Sequence, residues 1–248
     1  MKIAVAQIMP QKGNILENIE KHKALISLAV SGQASAIFFP ELSITGYEPE
    51  LAMDLATDQY DHRFDDFQHI SDKNHITIGI GVPTKSISGI LISMIIFQPN
   101  QPRQTYSKQK LHADEFPYFV GGNEQIVLTL DGTKVAPAIC YESLQIEHAE
   151  QANNLGADIY LASVAKSRNG VGKAMSHYPH IANTYSMTVL MTNCIGLCDN
   201  FESVGQTAVW NNHGHLVGQL NDTNEGIIIY DLTTKSLIKK QYLDVSDC

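Results

Sequence analysis

The sequence predicts an α/β fold in which paired sheets lie between helices. Short apolar runs alternate with stretches of helical spacing, as where residues 36–39 follow the helix-like segment that begins after Asn14. Other apolar runs form hairpin-like pairs, such as residues 76–82 with 90–97. Mixed pairing of this kind favours a pair of sheets flanked by helices over an all-parallel Rossmann sheet.

The composition is typical of a single α/β domain. The chain has 248 residues, of which 44% are hydrophobic, and this is enough for a substantial core. It contains no repeat, low-complexity segment or linker, so residues 1–248 are predicted to form one domain. The formal net charge of -9 argues against a nucleic-acid partner, because phosphate binding needs clustered Lys and Arg.

The lengths of the apolar runs and the pattern of the cysteines indicate the cellular compartment. The longest apolar run, residues 90–97, is too short to span a membrane, and the N-terminal apolar run is too short for a secretory signal. The four cysteines show neither a Cys-x-x-Cys pair nor a disulfide framework. We therefore expect free thiols, a cytoplasmic location and no membrane partner.

The elements follow from pattern and turn signals. Asn14 is predicted to cap a helix that Gly32 ends. Further helical segments are predicted up to about residue 75, over 144–154 and over 175–187. Residues 108–124 show little periodicity, and the polar tail from residue 232 is predicted to contact a partner subunit. Strands are predicted at 2–8, 36–39, 76–82, 90–97, 104–107, 126–130, 134–139, 159–162, 189–192, 206–210, 215–220 and 226–230.

Three chemically useful residues each come just after a strand. They are Glu41, Lys108 and Cys140. If the strand ends share one rim, a carboxylate, an ammonium and a thiol meet there and can divide the work of acyl transfer. The thiol attacks, the carboxylate takes its proton, and the ammonium stabilises the developing oxyanion. Taken singly, each residue also fits an ordinary role: a solvated turn glutamate, a surface lysine and a buried cysteine.

Cys140 is predicted to sit at a sharp turn between a strand and a helix. Ser143 is a candidate N-cap of that helix. The first amides of a helix favour a negative charge, which would stabilise the thiolate of Cys140.

Motifs in order along the chain resemble those of the nitrilase, or carbon–nitrogen hydrolase, superfamily over nearly the full length. The matching pieces are Ala6-Gln7, Phe38-Phe39-Pro40-Glu41, Thr45-Gly46-Tyr47, Tyr106-Ser107-Lys108 with Leu111, Ile139-Cys140-Tyr141-Glu142, Gly156-Ala157-Asp158, Asn193 to Gly196, Gly205-Gln206-Thr207 and Gly214.

The resemblance implies a four-layer αββα sandwich and a Glu–Lys–Cys triad. Glu41 matches the general base, Lys108 the oxyanion-stabilising lysine and Cys140 the nucleophile. Lys108 is preferred to Lys110 because only Lys108 fits the Tyr-x-Lys-x-x-Leu frame. The amide of Tyr141 is the second oxyanion donor, and Glu115 matches a further glutamate that orients Lys108 or the substrate.

The substrate pocket carries over less completely. Tyr47, Glu142, Ser163 and Ala165 are predicted to contact substrate. Many relatives have an Asn-Trp or Ser-Trp pair where this chain reads Ser163-Val164-Ala165-Lys166. Relatives also carry an Arg and a Glu at the positions of Ile181 and Thr184. The identity of the substrate is therefore open.

The predicted function is hydrolysis of a non-peptide C–N bond in a small amide or carbamoyl compound through a cysteine thioester. No cofactor is implied, the partner is a small-molecule substrate, and the family suggests a homodimer or larger homo-oligomer. Nitrile hydrolysis and soluble N-acyl transfer by the same triad are alternatives, as is a non-catalytic binding protein. A metal hydrolase is disfavoured: Pro179 interrupts His177-x-x-His180, and Gly214 in a turn accounts for His213-x-His215. No metal ligands are predicted.

Overall fold

The structure is a computed structural model that describes residues 1–242 of the chain. Two mixed β-sheets face each other at its centre, and helices cover their outer faces. This arrangement confirms the predicted four-layer αββα sandwich. No helix within the described range is both long and apolar enough to cross a lipid bilayer.

The first sheet has seven strands. They are β1 Lys2–Gln7, β2 Ala36–Phe38, β3 Thr77–Ser86, β4 Gly89–Phe97, β5 Gln104–Ser107, β14 Gly226–Asp231 and β15 Leu237–Gln241. Their order is β15-β14-β1-β2-β3-β4-β5. β1, β2 and β3 are parallel, and the other neighbours are antiparallel. The carboxyl ends of β2 and β5 therefore lie at the same edge of the sheet.

The second sheet has six strands. They are β6 Leu128–Leu130, β7 Thr133–Ile139, β8 Ile159–Val164, β9 Thr188–Asn193, β12 Ala208–Trp210 and β13 Leu216–Gln219. Their order is β13-β12-β9-β8-β7-β6, with β7, β8 and β9 parallel. A separate two-stranded hairpin is formed by β10 Ile195–Cys198 and β11 Phe201–Val204.

The helices cover the two outer faces. They are α1 Ile15–Ser31, α2 Ala52–Leu55, α3 Asp65–Asn74, α4 Ile146–Asn154 and α5 Arg168–Tyr185, with 3₁₀ segments at Pro49–Leu51, His62–Phe64 and Cys140–Leu144. The Asn14 side chain accepts a hydrogen bond from the Glu17 amide, and Gly32 ends α1, as predicted.

Three apolar clusters hold the layers together. The inner cluster joins the facing sheets, with Phe38 and Met94 from the first sheet and Leu161 and Leu190 from the second. One outer cluster packs α1 and α3 on the first sheet, and the other packs α4 and α5 on the second. Because burial of apolar surface is the main favourable term in folding, these contacts fix the strand ends that carry the polar residues.

Several predicted elements were misplaced. The helix predicted over 175–187 begins earlier, at Arg168, and the β10–β11 hairpin was not predicted. Ser143 does not cap α4, because it lies inside the 3₁₀ segment and its hydroxyl donates to the Cys140 carbonyl. Residues 237–241 of the tail form β15, an edge strand that pairs with β14 of the same chain, and its contact with a partner subunit stays a prediction. Residues 243–248 lie outside the described range.

Candidate active site

Glu41 is held by a close approach of two backbone segments. It follows β2, and the Phe39 amide donates to the Gly79 carbonyl at 2.9 Å. Gly81 on β3 lies directly against this turn. A Cβ atom at Gly81 would lie 2.2 Å from the Pro40 carbonyl oxygen. The absence of a side chain at Gly81 therefore lets the turn that carries Glu41 sit tightly on the sheet.

Lys108 lies between two carboxylates. Its Nζ donates to Glu41 Oε1 at 2.8 Å and to Glu115 Oε1 at 2.6 Å. The side chains of Lys108 and Glu41 are fully buried, and that of Glu115 is 2% exposed. The Tyr47 hydroxyl donates to Glu115 Oε1 at 2.9 Å, and the His112 amide donates to Glu115 Oε2 at 2.7 Å. Glu115 is thus fixed by three donors.

Cys140 occupies the end of β7 with a left-handed backbone conformation, φ 47°. Residues other than glycine adopt this conformation at a cost of about 1–2 kcal/mol, and such strain is concentrated at functional sites. The thiol is half-buried and lies 3.6 Å from the Ala165 carbonyl oxygen. The Lys166 Nζ lies 3.9 Å from the Cys140 sulfur.

The charges of this cluster are strongly coupled. Burial raises the pKa of Glu41, and the positive charge of Lys108 opposes that rise. Burial alone would lower the pKa of Lys108, but Glu41, Cys140 and Glu115 together raise it above its usual range. The Lys108 side chain is therefore a permanent cation.

The expectation of a helix-stabilised thiolate at Cys140 was wrong. Burial, followed by the negative charge of Glu41, raises the pKa of the Cys140 thiol to about 12, although Lys166 and Lys108 act in the opposite direction. The five-residue 3₁₀ segment Cys140–Leu144 begins at the cysteine and separates it from α4, the helix predicted to follow. The resting thiol is therefore protonated near neutral pH. Glu41 Oε2, which is buried without a hydrogen-bond partner in the described part of the chain, is free to accept its proton.

A cavity of about 520 Å³ opens onto Cys140. Besides Cys140, its lining includes four of the predicted site residues: Tyr47, Glu115, Tyr141 and Ala165. Glu41 and Lys108 are not among the lining residues, and both are buried. The other lining side chains are His112, Asp114, Leu144, Gln145, Lys166, Ser167, Asn169, Gly170, Lys173 and Phe201.

Glu142 does not line this cavity, contrary to the prediction that it contacts substrate. It is fully buried. Its Oε1 accepts from the Tyr106 hydroxyl at 2.6 Å and from the Ile139 amide at 2.7 Å, and its Oε2 accepts from the Gln109 amide at 2.7 Å. These bonds connect the end of β7 to the segment after Lys108, so Glu142 holds two parts of the site in register.

Ser163 also lies away from the cavity, contrary to prediction. Its hydroxyl donates to the Phe39 carbonyl at 2.8 Å, and the residue is buried. Because Phe39 precedes Glu41 and Ser163 is in the second sheet, this hydrogen bond connects the two sheets next to the site.

Lys166 and Phe201 are among the lining residues that sequence reasoning missed. Lys166 follows β8, the parallel neighbour of β7, in the segment that differs from the family pattern. The position of a lysine just past the neighbouring strand end was the signal that could have found it. Phe201 is the first residue of β11. Its ring packs edge-on against the Tyr47 ring, with the two ring centroids 5.6 Å apart.

Two positions that depart from the family pattern lie on α5. Ile181 is buried in the apolar cluster beneath the second sheet, and Thr184 is exposed. The site of the missing arginine is therefore filled by apolar packing. Among residues 1–242, no three His, Cys, Asp or Glu side chains are grouped so as to hold a metal ion.

The chain matches one protein family and is similar to several known proteins. The family model described as carbon-nitrogen hydrolase matches residues 2–242. The hydrolase in the agr operon of Staphylococcus aureus is 26% identical over 245 residues, covering 94% of this chain and 91% of that protein. The glutamine-dependent NAD(+) synthetase of Aquifex aeolicus is 24% identical over 254 residues, covering 99% of this chain but only 44% of the synthetase.

Solved structures share the fold. An amidase from Nesterenkonia sp. AN1 superposes with a TM-score of 0.86 at 21% identity, covering 94% of this chain and 90% of that chain. A variant of that amidase, with the same TM-score and identity and the same coverage, carries the acetamide moiety of fluoroacetamide covalently at its active-site cysteine.

Proposed function

Since the chain belongs to the carbon–nitrogen hydrolase family, we propose that it hydrolyses the C–N bond of a small amide or carbamoyl compound through a thioester at Cys140. The observation that carries this proposal is the buried Glu41–Lys108 ion pair next to a thiol that lines a cavity. A buried ion pair is a poor source of stability. It suits a reaction that must move one proton and stabilise one oxyanion out of contact with bulk water.

Acylation begins with proton transfer from the Cys140 thiol to Glu41. The sulfur attacks the carbonyl carbon, and the carbonyl π electrons move to oxygen. We assign the Lys108 ammonium and the Tyr141 amide as donors to that oxyanion. The intermediate collapses as Glu41 returns the proton to the departing nitrogen, releasing ammonia or an amine and leaving a thioester.

Deacylation reverses these roles. Glu41 takes a proton from water, the resulting hydroxide attacks the thioester carbon, and the C–S bond breaks. The proton then returns from Glu41 to the Cys140 sulfur, so the enzyme is regenerated and a carboxylic acid is released. Glu115 keeps the Lys108 ammonium in place through both steps, because it accepts a hydrogen bond from it at 2.6 Å.

Glu41 Oε2 supports this assignment of the base. The Oε1 atom is occupied by Lys108, whereas Oε2 is buried without a partner in the described residues. A buried oxygen without a partner costs about 1–3 kcal/mol. Such an atom is retained where it must accept a proton during turnover.

The test is ammonia release from a panel of simple amides, ω-amides, carbamoyl amines and nitriles, with Cys140→Ala as the control. Glutamine belongs in the panel because the Aquifex relative is a glutamine-dependent synthetase. We expect at least one amide or carbamoyl compound to be turned over by the wild type only. Turnover at the wild-type rate by Cys140→Ala would contradict the proposal.

Adding hydroxylamine to the same assay separates hydrolysis from acyl transfer. An amine that outcompetes water at the thioester gives a hydroxamate, whereas hydrolysis gives the free acid. We expect the acid to dominate at low acceptor concentration. Product that forms only when the acceptor is present would favour the N-acyltransferase alternative, and release of ammonia from a nitrile alone would favour a nitrilase.

We also propose that the enzyme works in the cytoplasm as a homodimer or larger assembly without a cofactor. The free thiols of Cys140, Cys194 and Cys198 support a reducing compartment. The oligomer rests on the family resemblance. Light scattering of the purified chain tests it, and a monomer at micromolar concentration would contradict it.

A further inference from the structure

Lys166 places a second ammonium at the Cys140 sulfur. Its Nζ is 3.9 Å from that sulfur, and the residue is only 5% exposed. Lys108 forms ion pairs with Glu41 and Glu115, whereas Lys166 forms none with any carboxylate in residues 1–242. A buried ammonium without a carboxylate partner is costly, because it loses hydration without compensation.

The chain holds Lys166 firmly by its backbone. The Lys166 amide donates to Asn193 Oδ1 at 2.9 Å, and the Asn193 side-chain amide donates to the Lys166 carbonyl at 3.2 Å. The Ser203 hydroxyl and the Val204 amide donate to the same carbonyl at 3.1 and 3.2 Å. The end of β9 and the β11 strand therefore fix the position of Lys166.

The first turn of α5 leaves room for the lysine stem. A Cβ atom at Gly170 would lie 3.1 Å from Lys166 Cβ and 3.3 Å from its Cγ. Gly170 is a poor residue for a helix interior, but its bare Cα lets the Lys166 stem lie against α5. Two independent features, the backbone bonds and this gap, thus direct the ammonium into the site.

We propose that Lys166 is a second catalytic lysine, whose ammonium stabilises negative charge on the Cys140 sulfur. This inference rests on the proposed role of Cys140 as nucleophile. It assigns the two lysines to different atoms of the reaction: Lys108 to the oxyanion and Lys166 to the sulfur.

The charge on sulfur appears twice in the reaction, and Lys166 faces it both times. In acylation, Glu41 takes the thiol proton and the electron pair left on sulfur forms the C–S bond. In deacylation, the C–S bond breaks and its electron pair returns to sulfur before Glu41 returns the proton. Lys166 neither gains nor loses a proton in either step, so the atom and charge balance of the reaction is unchanged.

The high pKa of the thiol explains why a second cation is useful. Burial and Glu41 both disfavour the thiolate, and Lys166 is the larger of the two lysine influences that oppose them. The ammonium of Lys108 is shared between two carboxylates, so its charge is largely compensated. Lys166 supplies positive charge that no carboxylate of the described chain offsets by direct pairing.

The experiment compares Lys166→Met, Lys166→Arg and a matched control, Lys85→Met. Lys85 is an exposed lysine on β3. The rate at which iodoacetamide alkylates Cys140 is followed by peptide mass spectrometry, which separates Cys140 from the other thiols. An opposite charge within hydrogen-bonding distance shifts a pKa by about 1–3 units. At about pH 8 and about pH 10 we therefore expect alkylation to slow about 10-fold in Lys166→Met.

Activity gives the second measurement. We expect kcat/KM for the best amide to fall about 100-fold in Lys166→Met, the typical loss on removal of one electrostatic donor. Lys166→Arg keeps the charge and should recover part of both the activity and the alkylation rate, while Lys85→Met should match the wild type in both. Thermal denaturation checks that each variant is folded, and Lys166→Gln replaces the Met variant if the latter does not fold.

An alkylation rate unchanged over the whole pH range in a folded Lys166→Met or Lys166→Gln protein would overturn the proposal. The proposal would also be overturned if the Lys166 variants regained activity only with substrates that carry no negative charge. Lys166 would then be a substrate-binding residue. The alkylation measurement needs no substrate. A shifted alkylation rate in a protein that hydrolyses no amide would therefore refute the proposed function and leave the Lys166–sulfur interaction standing.

Discussion

The Lys108 ammonium lies 2.6 Å from the Glu115 carboxylate, and both side chains are buried. Glu115 comes from the irregular segment between β5 and β6, which also contributes Leu111 and Phe119 to the inner apolar cluster. An ion pair at this depth fixes the loop to the site. Glu115 thus has two effects on the reaction, since it positions Lys108 and adds negative charge near Glu41.

Glu115→Gln keeps the size of the side chain and removes that charge. We expect kcat to fall about 100-fold, because Lys108 is no longer held in place for the oxyanion. The negative charge of Glu115 also helps to raise the pKa of Glu41. On the acid side of the pH profile, kcat/KM falls as Glu41 becomes protonated. This acid limb should therefore move to lower pH in the variant. A fall in kcat without movement of the acid limb would contradict the electrostatic part of this account.

Gly81→Ala tests the close approach that positions Glu41. The added Cβ would lie 2.2 Å from the Pro40 carbonyl oxygen, so the Glu41 turn must move. We expect the free energy of unfolding to fall by about 1–3 kcal/mol. We expect kcat to fall by a larger proportion of its wild-type value. Gly172→Ala is the control, since a Cβ there meets nothing within 4 Å and should stabilise α5 by up to about 1 kcal/mol. Equal activity in the two variants would show that Glu41 tolerates the displacement.

Glu142→Ala tests the interpretation of Glu142 as a residue that holds the site together. It removes the acceptor of the Ile139, Gln109 and Lys110 amides and one of the two partners of the Tyr106 hydroxyl. We expect a loss of about 3 kcal/mol or more in urea denaturation, at about 1–3 kcal/mol for each unsatisfied buried group. Glu124→Ala, at an exposed glutamate, should change stability by less than about 0.5 kcal/mol. A stable Glu142→Ala protein with a raised KM would restore the substrate-binding prediction.

His22 predicts a pH dependence of stability. It is buried in α1, where Nδ1 lies 2.6 Å from the Asn18 carbonyl oxygen and Nε2 lies 2.9 Å from Ser43 Oγ. Burial lowers the pKa of His22 to about 3. The unfolded chain binds a proton at His22 below about pH 6.5, and the folded chain does not until about pH 3. Unfolding therefore takes up a proton in this window, and stability falls as the pH falls.

His22→Gln should remove this contribution to the slope. Each proton taken up on unfolding is worth about 1.4 kcal/mol per pH unit. Between about pH 6.5 and about pH 5, the wild type should lose about 2 kcal/mol more in the free energy of unfolding than the variant. Urea denaturation at the two pH values measures the difference. Equal slopes for the two proteins would mean that His22 is not held neutral in the folded chain.

Order along the chain predicted the fold correctly, and it singled out Glu41, Lys108 and Cys140, whose catalytic roles stay predictions. Each of these residues follows an apolar strand: β2 and β5 end at the same edge of the first sheet, and β7 belongs to the facing sheet. The limits of α1 were also readable, because Asn14 and Gly32 are strong capping signals.

Features that depend on tertiary contacts were not readable. The start of α5 was missed because Gly170 and Gly172 are poor helix formers. The presence of a glycine at position 170 is explained only by the Lys166 stem that lies against it. Glu142 is adjacent to the nucleophile in sequence, yet its side chain faces the interior, and no local pattern reveals that direction. The β10–β11 hairpin is short, and it is held by tertiary contacts such as the Phe201–Tyr47 ring contact and the hydrogen bonds of Ser203 and Val204 to Lys166.

The thiols should also differ in reactivity. Cys194 and Cys198 are buried, with their sulfurs 3.5 Å apart, whereas Cys140 is half-buried and opens to the cavity. In the folded protein we expect alkylation at Cys140 to be faster than alkylation at Cys194 and Cys198 by about 10-fold or more. Peptide mass spectrometry after a short exposure measures the order. Equal modification of the three would indicate that the region around Cys140 is not built as described.

The most direct test of the central claim is a mass measurement during turnover. The protein is acid-quenched while it hydrolyses the best amide, and the peptide that contains Cys140 is analysed for an added acyl group. The account predicts an increase equal to the acyl group on Cys140 alone, lost on treatment with hydroxylamine, and absent from Cys140→Ala. Undiminished hydrolysis by Cys140→Ala would contradict it. So would an acyl group on another residue, if that group forms and is lost at the catalytic rate.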